Sequence, residues 1–253
     1  MFASIKRAMW HAMSLLCLGV LAFNATAAEI QQKGSHLRIQ FDKDSPDVIS
    51  IVGAGVGFVS VQVNADPTTG FTNVRNISIK GSALADQLFV AQTVVIDGTL
   101  KVKTGAGDDS IFISGAFLKN LKVSLGDGDD LLWENDGPTE VGGSYTIKCG
   151  KGDDTTNIWN PLLVHGNMSI DHGPGAGPEE VNATFALANG NKIIAKKLSI
   201  KLAKDTPQWA YLEDVTAPKL MIRGGKGHNT VDLSDSGNSF DKAKIKKVEN
   251  LIL

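Results

Sequence analysis

The stretch Leu121-Lys122-Val123-Ser124-Leu125-Gly126-Asp127-Gly128-Asp129-Asp130 contains the two patterns that decide the fold. Its first four residues alternate apolar and polar side chains. Since successive side chains of a strand point to opposite faces, this alternation indicates a β-strand with one buried face. Its last five residues are typical of a tight corner, because Gly adopts positive φ angles and Asp caps exposed backbone amides. The stretch predicts a short strand followed by a corner.

The alternating four-residue unit recurs seven times along the chain. Its copies are Ile77–Lys80, Leu100–Lys103, Leu121–Ser124, Tyr145–Lys148, Met168–Asp171, Leu198–Lys201 and Leu220–Arg223. The steps between their first residues are 23, 21, 24, 23, 30 and 22. A repeat of this length is the signature of a solenoid or a similar array, in which each unit buries its apolar face against its neighbours.

The Gly/Asp corner also recurs, at Gly105–Asp109, Gly126–Asp130 and Gly150–Asp154, with a degenerate copy at Gly225–Asn229. No segment of the repeat shows the periodicity of an amphipathic helix. We therefore predict an all-β fold, a single-stranded parallel β-helix (β-solenoid) with coils of roughly 21–26 residues. General handedness preferences favour a right-handed helix. The first residues of the seven copies should form one inner column, and the third residues a second.

The chain divides into three segments. Residues 1–28 have a signal-peptide pattern: Lys6 and Arg7 precede an apolar run that ends in small residues suited to cleavage. Residues 29–72 fit the repeat poorly and are interpreted as an irregular N-terminal coil or cap, and residues 73–253 as the parallel β-helix. The outlying step of 30 contains an Asn-Gly pair that predicts a small protruding hairpin over residues 184–194. We expect an exported protein that is extracellular, attached to the cell surface or periplasmic.

The charge balance and the cysteines exclude several classes of protein. The formal net charge of the 253 residues is −2, and removal of Lys6 and Arg7 with the leader leaves a slightly more acidic chain. Such a balance does not indicate nucleic-acid binding. Cys149 is the one cysteine after residue 28, so no intramolecular disulfide is expected. No later stretch is apolar over the length that a transmembrane helix needs.

The corner sequences resemble the nonapeptide repeats of haemolysin-type (RTX) calcium-binding proteins, Gly-Gly-x-Gly-x-Asp-x-apolar-x. Matching residues are Gly105, Gly107, Asp109 and Ile111; Gly126, Gly128, Asp130 and Leu132; Gly150, Gly152 and Asp154; and Gly224, Gly225, Gly227 and Val231. Here the corners stand 21 to 24 residues apart instead of every nine, with a longer gap before the last. The longer period is similar to that of secreted bacterial parallel β-helix repeat proteins, and this wider resemblance implies a fold more than an activity.

The repeated corners make calcium the candidate cofactor. Stacked carboxylates supply the hard oxygen ligands that calcium takes, and they would repel one another without a cation. The candidate ligands are Asp108, Asp109, Asp129, Asp130, Asp153 and Asp154, of which Asp109, Asp130 and Asp154 occupy the matched motif position. In the alternative interpretation these aspartates only cap corner amides.

A second candidate site lies on the outer side of the repeated strand. Its fourth position holds the basic residues Lys80, Lys103, Lys148, Lys201 and Arg223, interrupted by Ser124 and Asp171. Lys101 and Lys122 add to this stripe from the second position. A basic stripe at strand spacing is suited to an anionic polysaccharide or another cell-surface polymer. The alternative is that the lysines prevent aggregation of a flat sheet and pair with neighbouring aspartates.

Two function classes follow from these patterns. The favoured class is a non-catalytic β-solenoid that acts as an extracellular structural or binding module and is stabilised by calcium. The alternative is a β-helix polysaccharide lyase or hydrolase acting on an acidic polysaccharide, which requires closely placed carboxylates or a basic residue beside them. The histidines share no motif with a Ser or Cys nucleophile, and His172 is interpreted as a solvent-side residue. The tryptophans Trp133, Trp159 and Trp209 are suited to stacking on sugars or to packing.

Overall fold

Three parallel β-sheets wind around a common apolar core and form a β-solenoid of about seven turns. The computed structural model describes residues 28–91, 93–174, 183–188, 191–203, 207–225 and 228–253. Residues 1–27 of the leader predicted over 1–28, the Asn189-Gly190 pair and Lys226-Gly227 of the fourth corner lie outside these residues. All 24 described elements are strands, which confirms the all-β prediction. No helix among the described residues has the length and apolar character of a membrane span.

The first sheet contains the repeated four-residue units. Its parallel strands are β2 (His36–Gln40), β6 (Asn76–Lys80), the second half of β8 (Val94–Ala106), the second half of β10 (Ala116–Asp127), β13 (Tyr145–Lys151), β16 (Asn167–Asp171), β19 (Lys197–Lys201), the second half of β21 (Val215–Arg223) and the second half of β23 (Ser239–Lys246). Each of the seven units pairs with the next in the register that the sequence predicts. For example, Leu100 lies opposite Leu121, and Leu121 lies opposite Tyr145.

The second sheet follows the corners. Its parallel strands are β3 (Val48–Val56), β7 (Gln87–Val90), β9 (Ser110–Ile113), β11 (Leu131–Glu134), β14 (Thr155–Ile158), β17 (Ala183–Leu187), β20 (Gln208–Leu212), β22 (Thr230–Asp232) and β24 (Asn250–Ile252). Alternate residues of these strands face the core, so the outer face of the sheet carries every second side chain.

The third sheet closes each coil. It contains β12 (Thr139–Val141), β15 (Leu162–Val164) and β18 (Lys192–Ile194), which pair with the first halves of β10 and β21 at either end. The protruding hairpin predicted over residues 184–194 is therefore wrong. Strand β17 pairs in parallel within the second sheet, and β18 pairs within the third, so this segment continues the coil.

Antiparallel strands cover the N-terminal end of the solenoid. Strand β1 (Glu29–Lys33) pairs with β2, and β4 (Phe58–Val63) pairs with both β3 and β5 (Thr69–Phe71). Strands β2 and β3 also pair in parallel with β6 and β7, so the segment 29–72 supplies both antiparallel strands and a coil of the solenoid. Strands β1 and β4 thus cover the edges that β2 and β3 would otherwise expose.

The core consists of the inner columns. The first column, Leu37, Ile77, Leu100, Leu121, Tyr145, Met168, Leu198 and Leu220, is fully buried. The neighbouring column from Ile39 to Ile222 is also buried. Such stacked apolar columns bury each coil against its neighbours along the whole rod, which is the main stabilising term in a repeat of this kind.

Candidate functional site

Two columns of glycine build the corner between the first and second sheets. Gly105, Gly126 and Gly150 stack in register with φ angles of +128°, +125° and +139°. A Cβ atom on Gly126 would overlap the backbone carbonyl of Gly105, and one on Gly150 would overlap that of Gly126. The second column of glycines, two residues later, meets the same restriction. The Gly-x-Gly pattern is therefore required by the close approach of successive coils as well as by the backbone angles.

The second aspartate of each corner belongs to a buried ladder. The Asp109 amide donates to Oδ1 of Asp130 at 2.8 Å, and the Asp130 amide donates to Oδ1 of Asp154 at 3.2 Å. The ladder extends to two aspartates that sequence reasoning missed, because Asp47 bonds Asp86 at 3.0 Å and Asp86 bonds Asp109 at 2.7 Å in the same way. Each carboxylate thus caps a backbone amide of the preceding coil, as the alternative interpretation of the corner motif proposes.

One carboxylate oxygen of each of three aspartates in this ladder is buried without a hydrogen bond to any described residue. The Oδ2 atoms of Asp109, Asp130 and Asp154 are buried and have no hydrogen-bond partner among the described residues. Desolvation, reinforced by neighbouring aspartates, raises the pKa of Asp109 to about 6, of Asp154 to about 7 and of Asp130 to about 8. A buried carboxylate that lacks a counter-charge favours its neutral form. Protonation of Asp130, which lies between Asp109 and Asp154, therefore relieves part of the repulsion inside the ladder near neutral pH.

The first aspartate of each corner lies outside. Asp108 and Asp129 are exposed, and Asp153 is half-buried. The Asp129 amide donates to Oδ1 of Asp108 at 2.9 Å, and the Asp153 amide donates to Oδ1 of Asp129 at 2.8 Å. The six predicted calcium ligands are thus divided into a buried ladder and an outer ladder. Within the described part of the chain, no group of three or more His, Cys, Asp or Glu side chains is arranged to hold a metal ion.

The predicted basic residues form one column on the outer face of the first sheet. Strand register places Lys80 opposite Lys103, Lys103 opposite Ser124, Ser124 opposite Lys148, Lys148 opposite Asp171, Asp171 opposite Lys201, and Lys201 opposite Arg223. The column continues to Lys246, which lies opposite Arg223. Lys101 and Lys122 also lie opposite each other in the parallel column two residues earlier. The sequence pattern alone predicted this alignment except for Lys246.

Among the described residues, most basic side chains of the column form no ion pair. Lys201 bonds the carboxylate of Asp171 at 2.9 Å. Lys80, Lys103, Lys148 and Arg223, by contrast, form no ion pair with any residue that the structure describes. No described residue of the column thus bonds a corner aspartate as the alternative interpretation expects, since the partner of Lys201, Asp171, belongs to the column itself. Lys151, outside the column, is the lysine that bonds a corner aspartate, Asp127, at 2.6 Å.

A shallow groove interrupts the basic column where its side chains are short. Its lining includes Ser124, Gly126, Lys148, Gly150 and Lys201. Ser124 lies between Lys103 on one neighbouring strand and Lys148 on the other. A hydroxyl between two ammonium groups provides hydrogen-bond donors and positive charge for an anionic group.

Aromatic side chains follow the outer face of the second sheet. Phe89 and Phe112 stack with ring centroids 4.9 Å apart, and Trp133 lies opposite Phe112 on the next strand. Trp133 also meets Trp159 edge-to-face at 5.3 Å. Trp209, farther along the sheet, is the most exposed of these aromatic residues at 52%. The tryptophans predicted as stacking or packing residues thus divide into a packed pair and an exposed residue.

Polar groups inside the core were not predicted. His172 is buried, so its interpretation as a solvent-side residue is wrong. Burial lowers the pKa of His172 to about 4. Tyr145 donates a hydrogen bond to the buried carboxyl group of Glu134, whose pKa burial raises to about 7. These groups are enclosed by the coils and have no access to a polymeric substrate.

No protein-family model, curated protein or solved structure matches the chain. The comparisons therefore provide no family, and the geometry of the described residues has to support any functional conclusion.

Proposed function

We propose that this protein is a non-catalytic binding module whose first sheet holds an anionic polysaccharide along its outer face. The observation that carries the proposal is the pairing of like charges at directly opposed positions. Lys80 lies opposite Lys103, and Lys101 lies opposite Lys122. Like charges placed directly opposite each other destabilise a sheet. A polyanion bound along the column would offset this repulsion, because each ammonium group would attract its negative charge.

The geometry of the column suits a linear polymer. Neighbouring strands of a sheet are about 4.8 Å apart, so the six steps from Lys80 to Arg223 span roughly 29 Å. The groove at Ser124 lies within this span and is lined by Lys148. An extended chain with one anionic group per sugar would present charge at intervals along the whole column, whereas a compact anion would meet only part of it.

The catalytic alternative requires carboxylates that converge on an accessible cleft. Three of the corner carboxylates, Asp109, Asp130 and Asp154, are instead buried and accept backbone amides. The groove on the first sheet contains two carboxylates, Asp127 and Asp171, and each bonds a lysine. This arrangement favours the binding module over the lyase or hydrolase.

Export and calcium belong to the same proposal. The leader pattern of residues 1–28 supports an extracellular, cell-surface or periplasmic site, where acidic polysaccharides occur. Calcium is proposed as a weakly bound stabilising ion at the outer ladder of Asp108, Asp129 and Asp153, because Asp108 and Asp129 are exposed and the stacked carboxylates repel one another. In the buried ladder, protonation of the aspartates lowers the negative charge without a bound ion.

The proposal is tested by the affinity for polygalacturonate, used as a probe of linear polyanions. Calorimetry at low salt compares the unmodified chain with a variant carrying Lys80→Gln, Lys103→Gln and Lys148→Gln. We expect about a tenfold or greater loss of affinity, since three ammonium groups in the column are removed. The matched control replaces Lys33, Lys119 and Lys196, which are exposed and lie off the column, and so changes the net charge equally. Equal affinities of the two triple variants would overturn the proposal.

A further inference from the structure

A second groove lies on the outer face of the second sheet, away from the basic column. It is lined by Ala186, Trp209, Tyr211 and Asp232. Trp209 and Tyr211 are two residues apart on β20, so their side chains leave the same face of the strand about 7 Å apart. Ala186 lies opposite Tyr211 on the preceding strand, and Asp232 lies opposite it on the following one. The small Ala186 leaves the depression beside the two rings.

The charges around these rings are acidic. The Tyr211 hydroxyl donates to Oε2 of Glu213 at 3.3 Å. Burial and the nearby carboxylates of Glu213, Asp235 and Asp232 raise the pKa of the Tyr211 phenol. None of these three carboxylates forms an ion pair within the described part of the chain. The second sheet thus presents two aromatic rings in a negative field, opposite in sign to the field of the basic column.

We propose that Trp209 and Tyr211, together with the carboxylates of Asp232 and Glu213, bind a quaternary ammonium group such as the trimethylammonium of choline. An organic cation is attracted to the faces of aromatic rings, most strongly to Trp and then Tyr. The acidic surroundings exclude the anionic sugars that the first sheet would hold. The ligand class is therefore different from that of the proposed function, and each proposal stands without the other.

The hydrogen bonding of the carboxylates favours a quaternary over a primary ammonium group. Asp232 Oδ1 already accepts hydrogen bonds from the backbone amide and the hydroxyl of Ser234, at 3.0 and 2.7 Å. Glu213 Oε2 already accepts the Tyr211 hydroxyl. These carboxylates still contribute their charge but have fewer free acceptor sites. A trimethylammonium group requires negative charge and apolar contact but no hydrogen bonds, which matches this groove.

The test is a titration with choline chloride, followed by the NMR signals of the tryptophan indoles at constant ionic strength. We expect a saturable shift of the Trp209 indole and little shift of the Trp159 indole. The neutral isostere 3,3-dimethylbutan-1-ol has the same shape without the charge, and we expect it to shift the Trp209 signal far less. Glucosamine, which carries a primary ammonium group, should bind more weakly than choline.

Variants assign the binding energy to the proposed residues. Calorimetry should show Trp209→Ala and Tyr211→Ala binding choline about tenfold more weakly, as expected when a cation–π contact is lost. Asp232→Asn keeps the shape of the side chain and should also weaken binding, through the lost charge. Trp159→Ala is the control, since Trp159 directly follows β14, is 38% exposed and lies outside the groove. Equal binding of the isostere, unchanged binding by Trp209→Ala, or absence of any Trp209 shift would overturn the proposal.

Discussion

The backbone amide of Asp109 donates a hydrogen bond to Oδ1 of Asp130, 2.8 Å away on the next coil, and both residues are buried. The same relationship joins each successive pair of buried corner aspartates from Asp47 to Asp154. A motif that resembles a calcium-binding repeat therefore has a structural role that requires no ion. The carboxyl groups link successive coils by accepting backbone hydrogen bonds, and this role does not require a negative charge.

Replacement of Asp130 by asparagine should destabilise the folded chain less than replacement by alanine. Asp130→Asn keeps an acceptor for the Asp109 amide, and we expect its free energy of unfolding at pH 8 to equal or exceed that of the unmodified chain. Asp130→Ala leaves that amide unpaired in the core and should cost about 1–3 kcal/mol. Urea unfolding measures both effects.

The matched control for Asp130 is Asp129, which accepts an amide at 2.8 Å in the exposed outer ladder. Asp129→Ala should cost less than about 1 kcal/mol, because water can replace the lost acceptor. An equal cost at the two positions would contradict the role assigned to burial.

The solenoid should lose stability as the pH rises from about 6.5 to 8. The pKa values of Asp154 and Asp130 are about 7 and 8 in the folded chain, and that of Glu134 is about 7, all above the range of about 4 of an unfolded carboxyl group. The folded state therefore binds more protons, and its stability falls as the pH passes through these values. His172, with a pKa of about 4, acts with the opposite sign below about pH 6.5.

Urea unfolding in the presence of a chelator at several pH values measures this slope. The double variant Asp130→Asn and Asp154→Asn should flatten it, since two of the titrating groups are removed. Burial lowers the pKa of Lys192 to about 8. Its contribution makes the folded state more stable only as the pH rises above about 8, so it does not change the sign of the slope below pH 8. A slope that rises with pH, or one that the double variant leaves unaltered, would contradict the assignment.

Gly126 should not tolerate a side chain. Its φ angle is +125°, and a Cβ atom would overlap the carbonyl of Gly105. Gly126→Ala should cost roughly 2–5 kcal/mol of unfolding free energy, as expected when both strain and overlap must be relieved. Gly70→Ala is the control, because the added Cβ meets nothing within 4 Å. Thermal unfolding followed by circular dichroism compares the two, and similar midpoints would contradict the requirement for glycine.

Calcium provides a further test of the outer ladder. Millimolar calcium should raise the thermal midpoint relative to chelator, because an ion that binds only the folded chain stabilises it. Asp129→Asn should remove this shift, whereas Asp130→Asn should leave it, since Asp130 is buried. Absence of any shift in the unmodified chain would leave both ladders as amide caps alone.

The strand register was predictable because two independent features of the repeated units determine it. The buried positions alternate within the unit, and the spacing between units fixes which residues meet, so the pattern of the repeat is enough to align Leu100, Leu121 and Tyr145. The third sheet was less visible. Its strands, such as Thr139–Val141, are three residues long and too short to show a period.

The division of the corner aspartates could not be predicted from composition. Asp129 and Asp130 are chemically identical neighbours, and only the bend of the backbone directs one outward and the other into the core. Asp47 and Asp86 were missed because no Gly-x-Gly pair precedes them, although each stands directly before an alternating strand. The inward orientation of His172 was implicit in the alternation of Met168 and Ile170, continued by one step beyond the four-residue unit.

The affinity of a length series of oligogalacturonates tests the central claim, the basic column as a polymer track, most directly. We predict that affinity increases with oligomer length until the chain spans the roughly 29 Å from Lys80 to Arg223, and then levels off. The variant with Lys80→Gln, Lys103→Gln and Lys148→Gln should lose most of this increase. Short oligomers that bind as tightly as long ones, or a variant that binds every length as the unmodified chain does, would contradict the account.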